Sequence, residues 1–446
     1  MTERLQRTRA ARGRWPSRRP LADLPGGTAI PLVWSFLYFF FLLTGYYVLR
    51  PVRDAMGASA DVAAVFPASM IDWFQARGIS LGDFTLQVLF TGTFVAMLLL
   101  QPVYGALVSR FPRRVFLPVV YLVFIAILVG FYFAFDSGTS GRGAAFFIFV
   151  AVFNLFAVAV FWSYMADVFA NEDAKRVYGY IGAGGTLGGL LGPELTTWLV
   201  EPLGVANMLL ISAAFLGLCL LCIVMLMPHA RRREGGQRRG EIGGDILAGL
   251  RLVAREPLLR AIALLIFFGV GVGTLLYNEQ AAIVRSLAAD DARVAVAFYS
   301  RLDRWINWLV LIVQVLLTRR LLVHLGVAKV LMIPALAILA GYMLLAASPL
   351  PLLIAIVQVG TRAGEFAIGK PARETIYTRV AAEWRYKAKA AIDTVVYRGG
   401  DLTFVWVHKL LAAGGSHVVF GAGILVAAAM TLGAWRVGRE QARLPE

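Results

Sequence analysis

Val115-Phe-Leu-Pro-Val-Val-Tyr-Leu-Val-Phe-Ile-Ala-Ile-Leu-Val-Gly-Phe-Tyr-Phe-Ala-Phe135 runs for 21 residues without a charge, bounded by Arg113 and Arg114 before it and Asp136 after it. A helix that crosses a bilayer needs about 20 mostly apolar residues, and this stretch supplies them. Similar runs lie near 30–50, 84–108, 144–170, 177–200 and 205–227, and again near 258–284, 296–318, 326–347, 350–377, 386–412 and 417–437. Together with 114–135 they predict twelve spans. The composition of the 446-residue chain agrees: 59% of residues are hydrophobic and 16% charged, against about 25% charged in a soluble domain. Disorder, a collagen-like fibre and an ordinary soluble enzyme are excluded. Cys219 and Cys222 are the only cysteines, so a disulfide scaffold and a zinc cluster are excluded as well.

Basic residues alternate between the loops. The N-terminal segment carries Arg4, Arg7, Arg9, Arg12, Arg14, Arg18 and Arg19, and the loop after span six carries Arg231, Arg232, Arg233, Arg238 and Arg239. The loops on the other side are poorer, with Arg77, Arg142, Arg285 and Arg293. The positive-inside rule then puts both termini in the cytoplasm of a bacterial cell whose inner membrane the chain spans. The net charge of +16 is spent on these short loops, which argues against a nucleic-acid partner and for the lipid bilayer. The first apolar run has no A-x-A-like cleavage site and reads as an uncleaved first helix.

The longest polar segment divides the spans six and six. The expected organisation is a basic cytoplasmic N-terminus over 1–28, a six-helix half over 29–228, a cytoplasmic linker over 229–257, a second six-helix half over 258–438 and a cytoplasmic tail over 439–446. After span four, Asn171-Glu-Asp-Ala-Lys-Arg-Val-Tyr-Gly-Tyr-Ile-Gly182 sets an acidic residue, then basic ones, then a new helix. Glu383-Trp-Arg-Tyr-Lys-Ala-Lys-Ala-Ala-Ile-Asp393 does the same after span ten. Two parallel six-span halves are the plan of the major facilitator transporters, whose substrate site lies at the midplane between them. The fold class expected is an all-α membrane protein, a major-facilitator-like bundle of twelve transmembrane helices in two six-helix halves.

Charges at bilayer depth cost at least about 2.5 kcal/mol each on insertion scales, so they persist where they pair, snorkel or line a wet cavity. Arg50 and Arg53 end span one three residues apart, with Asp54 beside them. They share a helix face if Pro51 leaves the helix unbroken. That pair reads either as a bidentate site for an anionic, oxygen-rich ligand or as an interfacial anchor. In span four, Trp162 and Tyr164 either stack on a flat ring or pack, and Asp167 lies where Lys175 is in reach. Glu279, two-thirds along span seven, is either a proton or coupling site or an ion-pair partner. Span ten carries Arg362, Glu365, Lys370, Arg373 and Glu374; span eleven carries Lys387, Lys389, Asp393, Arg398 and Asp401. Anchoring does not require so many, so this group reads as the lining of a wet path or a gate. Lys389, Asp393 and Asp401 are expected on similar faces. The glycines from Gly179 to Gly192 in span five follow GxxxG spacing, which favours close helix packing; no Rossmann or Walker A pattern is present, and no cofactor or metal is expected.

Three blocks carry a family resemblance. Leu49-Arg-Pro-Val-Arg-Asp54 is similar to the L-R-D-T-K-D of the bacterial and plastid nucleotide transporters, the ATP:ADP antiporters. Phe161-Trp through Asp173-Ala-Lys-Arg-Val-Tyr-Gly179 is similar to their F-W-x-F-A-N…E-A-K-R-F-Y. Pro371-Ala-Arg-Glu-Thr-Ile-Tyr377 and Lys387-Ala-Lys-Ala-Ala-Ile-Asp-Thr-Val395 resemble P-x-K-E-M-A-Y and K-G-K-A-A-x-D-V-V. Gly105-Ala-Leu-Val-Ser-Arg-Phe-Pro-Arg-Arg114 resembles the facilitator loop signature, with Ser109 for its Asp and Pro112 for its second Gly. The resemblance implies exchange of nucleotides, with transport residues at Arg53, Glu279 and Lys387 or Lys389. Arg53 stands for a Lys there, Pro51 for an Asp and Arg373 for a Lys.

The expected function is therefore secondary transport, by alternating access, of an anionic, phosphorylated, nucleotide-like solute. Arg50, Arg53, Glu279, Arg373, Lys387, Lys389, Trp162 and Tyr164 would bind it. Asp54, Asp167, Arg362, Glu365, Glu374, Asp393, Arg398 and Asp401 would couple or gate. The alternative is a proton-coupled exporter of a drug-like or lipid-like solute, with Glu279 carrying the proton. An enzyme is not expected, since no nucleophile–His–acid set is visible.

Overall fold

The computed structural model describes residues 29–110, 113–169, 171–230, 246–288, 291–377 and 388–443. Among these residues there is no strand, and long helices follow one another with short turns between them. The first six are α1 (Ala29–Ala58), α2 (Thr85–Arg110), α3 (Arg113–Asp136), α4 (Arg142–Val168), α5 (Asn171–Leu203) and α6 (Val205–Leu226). The next six are α7 (Pro257–Ala288), α8 (Ala292–Val313), α9 (Arg319–Ala347), α10 (Pro351–Gly364), α11 (Tyr397–Ala412) and α12 (Ser416–Gln441). Among the described residues nine stretches are long and apolar enough to cross a membrane, and one of them, Ala292–Ala347, holds both α8 and α9. With the glycine-rich α5 and the charge-rich α11, the set is consistent with twelve spans. The outer surface is apolar: Leu352, Leu410 and Leu425 are 73%, 77% and 73% exposed. Exposure of that kind suits lipid rather than water.

Three helices depart from α geometry, all in the second half. α8 passes through a π turn at Gln314–Thr318, α10 through one at Glu365–Gly369 into Lys370–Tyr377, and α11 is led by Lys389–Ala391 and a π turn at Ile392–Val396. The expected gap between spans eight and nine is therefore absent as a loop. The helix continues through its π turn, and the chain bends at Gly326, whose φ of 72° a side chain would resist. Pro51 does not break α1.

The two sets of six pack alike. In the first, α1 packs on α4, α5 and α6, and α3 on α6; in the second, α7 packs on α10, α11 and α12, and α9 on α12. Each pair recurs six helices later. Between the sets, α2 meets α11 and α5 meets α8, again related by six, while α1 meets α7. The α1–α5 contact is the tightest, and it shows that the glycines of α5 act in packing: a Cβ on Gly188 would run into the carbonyl of Phe40 and lie 2.9 Å from the amide nitrogen of Thr44.

The contacts between the sets gather at one end. α1 and α7 end there, α2 and α8 begin there, and the described residues nearest the two termini, the start of α1 and the end of α12, lie at the other end. Gln87 Nε2 donates to the Val405 carbonyl (3.1 Å), Trp406 Nε1 to Thr91 (3.3 Å), Asn307 Nδ2 to the Gly189 carbonyl (2.6 Å) and Arg285 Nε to the Ala58 carbonyl (3.4 Å). Thr197 and Ser300 hydroxyls lie 2.9 Å apart, and Arg304 pairs with Glu194 at 3.5 Å. The apolar core of the first set continues through this seam into Tyr277, Ala281, Val296 and Tyr299. The second set keeps a separate core that runs from Leu258 and Val437 at the other end to Leu345 and Val419.

Candidate functional site

The charged side chains of α1, α8, α10 and α11 form a ladder of ion pairs, to which α7 adds hydroxyl groups. Its lowest rung, nearest the end with the termini, joins α11 to α10: Lys389 Nζ lies 2.7 Å from each carboxylate oxygen of Glu374, with the ammonium 5.5 Å over the Tyr377 ring. Next comes Arg373, which donates to Glu365 across two turns of α10, at 3.1 Å through Nη1. This reach exists because Gly369 lies between them: a Cβ there would sit 2.7 Å from Glu365 Oε2. Higher on α11, Arg398 pairs with Asp401 at 3.2 Å, and Thr274 of α7 donates to the other oxygen of Asp401 at 3.1 Å. Lys370 and Asp393 are exposed beside these rungs, and Asp393 lies within electrostatic reach of Lys370, Arg373, Glu374 and Lys389.

The π turns place this ladder. A π turn adds a residue to a helical turn and leaves carbonyls without their usual partners, and it recurs at functional sites. Here Gln314 Nε2 donates to the Phe366 carbonyl (3.2 Å) and Thr318 Oγ1 to the Ala367 carbonyl (2.7 Å), so the π turn of α8 satisfies that of α10. Glu365 opens the α10 turn, and Asp393 lies within the α11 turn.

The upper rungs belong to α1. Arg53 Nε donates to Asp54 at 2.9 Å, and the Tyr277 hydroxyl of α7 donates to the same oxygen at 3.2 Å. Arg53 also lies within electrostatic reach of Asp401, which links the α1 and α11 groups. Arg50 lies 3.8 Å from the second oxygen of Asp54 and 3.3 Å from Asp303 Oδ1 of α8. Arg50, Asp54 and Asp303 are all buried. Counted from Lys389 to Asp303, six cations (Lys389, Lys370, Arg373, Arg398, Arg53, Arg50) meet six carboxylates (Glu374, Asp393, Glu365, Asp401, Asp54, Asp303).

Of the residues singled out in the sequence, Arg50, Arg53, Asp54, Glu365, Arg373, Glu374, Lys389, Asp393, Arg398 and Asp401 come together here. Arg50 and Arg53 are not a free pair facing one ligand: each is held by a carboxylate, and Arg50 reaches across the seam. Lys389 and Asp393 lie within electrostatic reach of each other, and Asp401 lies beyond the π turn, paired with Arg398. Glu279 lies apart, 7% exposed, inside the second half. It is bonded to His408 Nε2 (2.8 Å) and the Ser416 hydroxyl (2.6 Å). Tyr164 is buried in the first core, 3.4 Å from the Ile223 carbonyl. Trp162 is half-buried, edge-on to Phe39 and Tyr178. Asp167 is half-buried within electrostatic reach of Tyr178, and Arg362 is half-buried in α10. Lys387 lies outside the described residues, as do the first five residues of the second repeat block.

Sequence reading missed Asp303 as a partner of Arg50, and it missed Tyr277, Thr274 and His408. His408 lies within α11, seven residues after Asp401 and thus on the same α7-facing stripe. That spacing was the available signal.

A family model described as Major Facilitator Superfamily matches residues 55–300. None of the curated proteins matches the chain. Among solved structures, an auto-inhibited POT family peptide transporter superposes with a TM-score of 0.61 at 14% identity, covering 93% of this chain and 97% of that one. The nucleoside transporter NupG gives 0.60 at 15%, covering 92% and 99%, and a D-xylose–proton symporter gives 0.57 at 14%, covering 90% and 96%. At these identities the likeness is one of fold.

Proposed function

The chain belongs to the major facilitator superfamily, and from that premise we propose that it carries a small anionic, phosphorylated, nucleotide-like solute across the bacterial inner membrane by alternating access. It is a multi-pass membrane transporter rather than an enzyme. With both termini in the cytoplasm, the seam closes the periplasmic end and the ladder faces the cytoplasm. The observation that carries this reading is the ladder itself, in which each of Arg53, Arg373, Lys389 and Arg398 is held by one carboxylate.

A guanidinium left bare in a low-dielectric cavity is costly, and a resident carboxylate removes that cost when no solute is bound. An incoming phosphate or carboxylate competes for the same donors, and guanidinium binds it bidentately. Asp54, Glu365, Glu374 and Asp401 thus act as place-holders that the solute displaces. Trp162 and Tyr178 on the first half give a flat ring an edge to pack against. The test is a thermal-stability screen of the detergent-purified chain with nucleotides, sugar phosphates and organic anions. A ligand at a hundred times its Kd stabilises by about 2.7 kcal/mol. Stabilisation by ATP or ADP that disappears in Arg53→Ala is the expected result. No stabilisation by any anion would overturn the reading.

A second reading, proton-coupled export, is favoured by the buried Glu279–His408 pair. Solute gradients that collapse with a protonophore and ignore nucleotides would select it.

A further inference from the structure

Among the described residues two ion pairs cross the seam, Arg304–Glu194 and Arg50–Asp303. Arg304 and Glu194 side chains are 27% and 20% exposed, whereas those of Arg50 and Asp303 are 7% and 4% exposed. A pair open to solvent is weak, and a desolvated one is strong only while both charges persist. The two carboxylates around Arg50 differ. Asp54 accepts from Arg53 and Tyr277 through Oδ1, and its Oδ2 faces Arg50 at 3.8 Å. Asp303 uses Oδ1 for Arg50, and its buried Oδ2 has no hydrogen-bond partner among the described residues. Asp303 is therefore the carboxylate with an oxygen to spare, on the far side of the interface from its cation.

We infer that Asp303 is a proton-binding site of the transport cycle: ionised, it clamps Arg50 across the seam, and protonated on Oδ2 it releases the clamp and lets the halves part at that end. This rests on the transporter reading given above, although not on its solute. On protonation Arg50 keeps a carboxylate within α1, Asp54, which it then shares with Arg53, while Asp401 lies within electrostatic reach of Arg53; the charge of the site rises by one. Only the bond between the halves is lost. The groups around the site are Tyr46, Tyr47, Arg53 and Asp54 from α1, Tyr277 and Arg285 from α7, Glu194 from α5, and Tyr299 and Arg304 from α8 itself. Of the carboxylates among them, Asp54 faces two guanidiniums and a tyrosine hydroxyl, and Glu194 is partly exposed and paired with Arg304.

The test needs no substrate. Spin labels are attached to Glu201→Cys at the end of α5 and Val294→Cys at the start of α8. Both native residues are exposed, and Gly204 approaches Arg293 between them. Cys219 and Cys222 are buried and stay unlabelled. In the full-length chain in liposomes, the close, dipolar-broadened population is expected to fall several-fold as pH is lowered. In Asp303→Asn it is expected to be low at every pH. The charge swap Arg50→Asp with Asp303→Arg is expected to restore it and guards against a variant that fails to fold. A close population that ignores pH, or that titrates as before in Asp303→Asn, overturns the proposal. So does a titration abolished by Glu194→Gln and kept by Asp303→Asn. Absence of solute uptake would count against the transport reading and leave these outcomes intact.

Discussion

The two six-helix halves share one packing pattern and differ in what fills it. In the first, α1, α4 and α5 lock through aromatic rings and small residues: Phe39 stacks on Phe161 at 4.4 Å, Tyr38 bonds Tyr121 at 2.7 Å, and Gly188 brings α5 onto the α1 backbone. Its described ladder charges are confined to Arg50, Arg53 and Asp54. In the second, α10 and α11 carry Glu365, Lys370, Arg373, Glu374, Lys389, Asp393, Arg398 and Asp401, and three π turns interrupt α8, α10 and α11. Close packing resists rearrangement because interiors are dense and transmit strain. Ion pairs beside water rearrange readily. The comparison assigns the first half the part of a stiff wall and the second the part of a surface whose partners change during transport.

The comparison breaks most visibly at glycine. In Gly188→Ala the new methyl meets backbone atoms of Phe40 and Thr44, which cannot swing away. Overpacking of this kind costs about 1–3 kcal/mol, here toward the upper end. Gly360 of α10 has nothing within 4 Å of the same methyl, so Gly360→Ala is expected to stabilise by roughly 0.5–1 kcal/mol through helix propensity. Thermal unfolding in detergent reads both. Equal losses at the two sites would mean that the halves are equally tight.

Arg53→Ala is expected to reduce solute uptake roughly ten- to hundredfold, the worth of a hydrogen bond to a charged group. The fold should survive, because Asp54 keeps Tyr277 and Arg50. Uptake at limiting solute, set beside an unfolding curve, separates the two effects. A loss of stability matching the loss of uptake would return Arg53 to the wall.

The fold was legible because lipid imposes a length on each apolar run and α-helices satisfy their own backbone there. Even α5 showed in its glycine spacing. What did not show is tertiary. Whether Arg50 and Arg53 face a ligand or a carboxylate depends on Asp303, some 250 residues away on α8. The π turns are equally hidden, since an inserted residue leaves composition unchanged while shifting every face beyond it. Hence the charges of spans ten and eleven were recognised as a group, yet their pairing was not. Glu279 stands out as a lone membrane glutamate, whereas its partner His408, 129 residues away on another helix, does not.

Glu279 and His408 offer a smaller effect that bears on the same comparison. Glu279→Leu leaves the imidazole and the Ser416 hydroxyl without their acceptor, at a cost of about 1–3 kcal/mol. His408→Leu costs less, since Ser416 still donates to the carboxylate. The double variant is expected to fall well short of the sum, because two apolar groups replace a buried polar pair. An additive result would show that the two side chains are not coupled.

Lys389→Gln carries the smallest stability effect and the sharpest contrast. Its partner Glu374 is 46% exposed and the lysine 32%, so the pair contributes at most about 1 kcal/mol after solvent screening. If the second half is the adjustable surface, uptake should nonetheless fall several-fold, because the ammonium would be the first cation an anion meets on entering from the end with the termini. Stability and function are thus expected to separate at Lys389 and to move together at Gly188. A Lys389→Gln protein that unfolds earlier and transports normally would reverse the assignment of roles to the two halves.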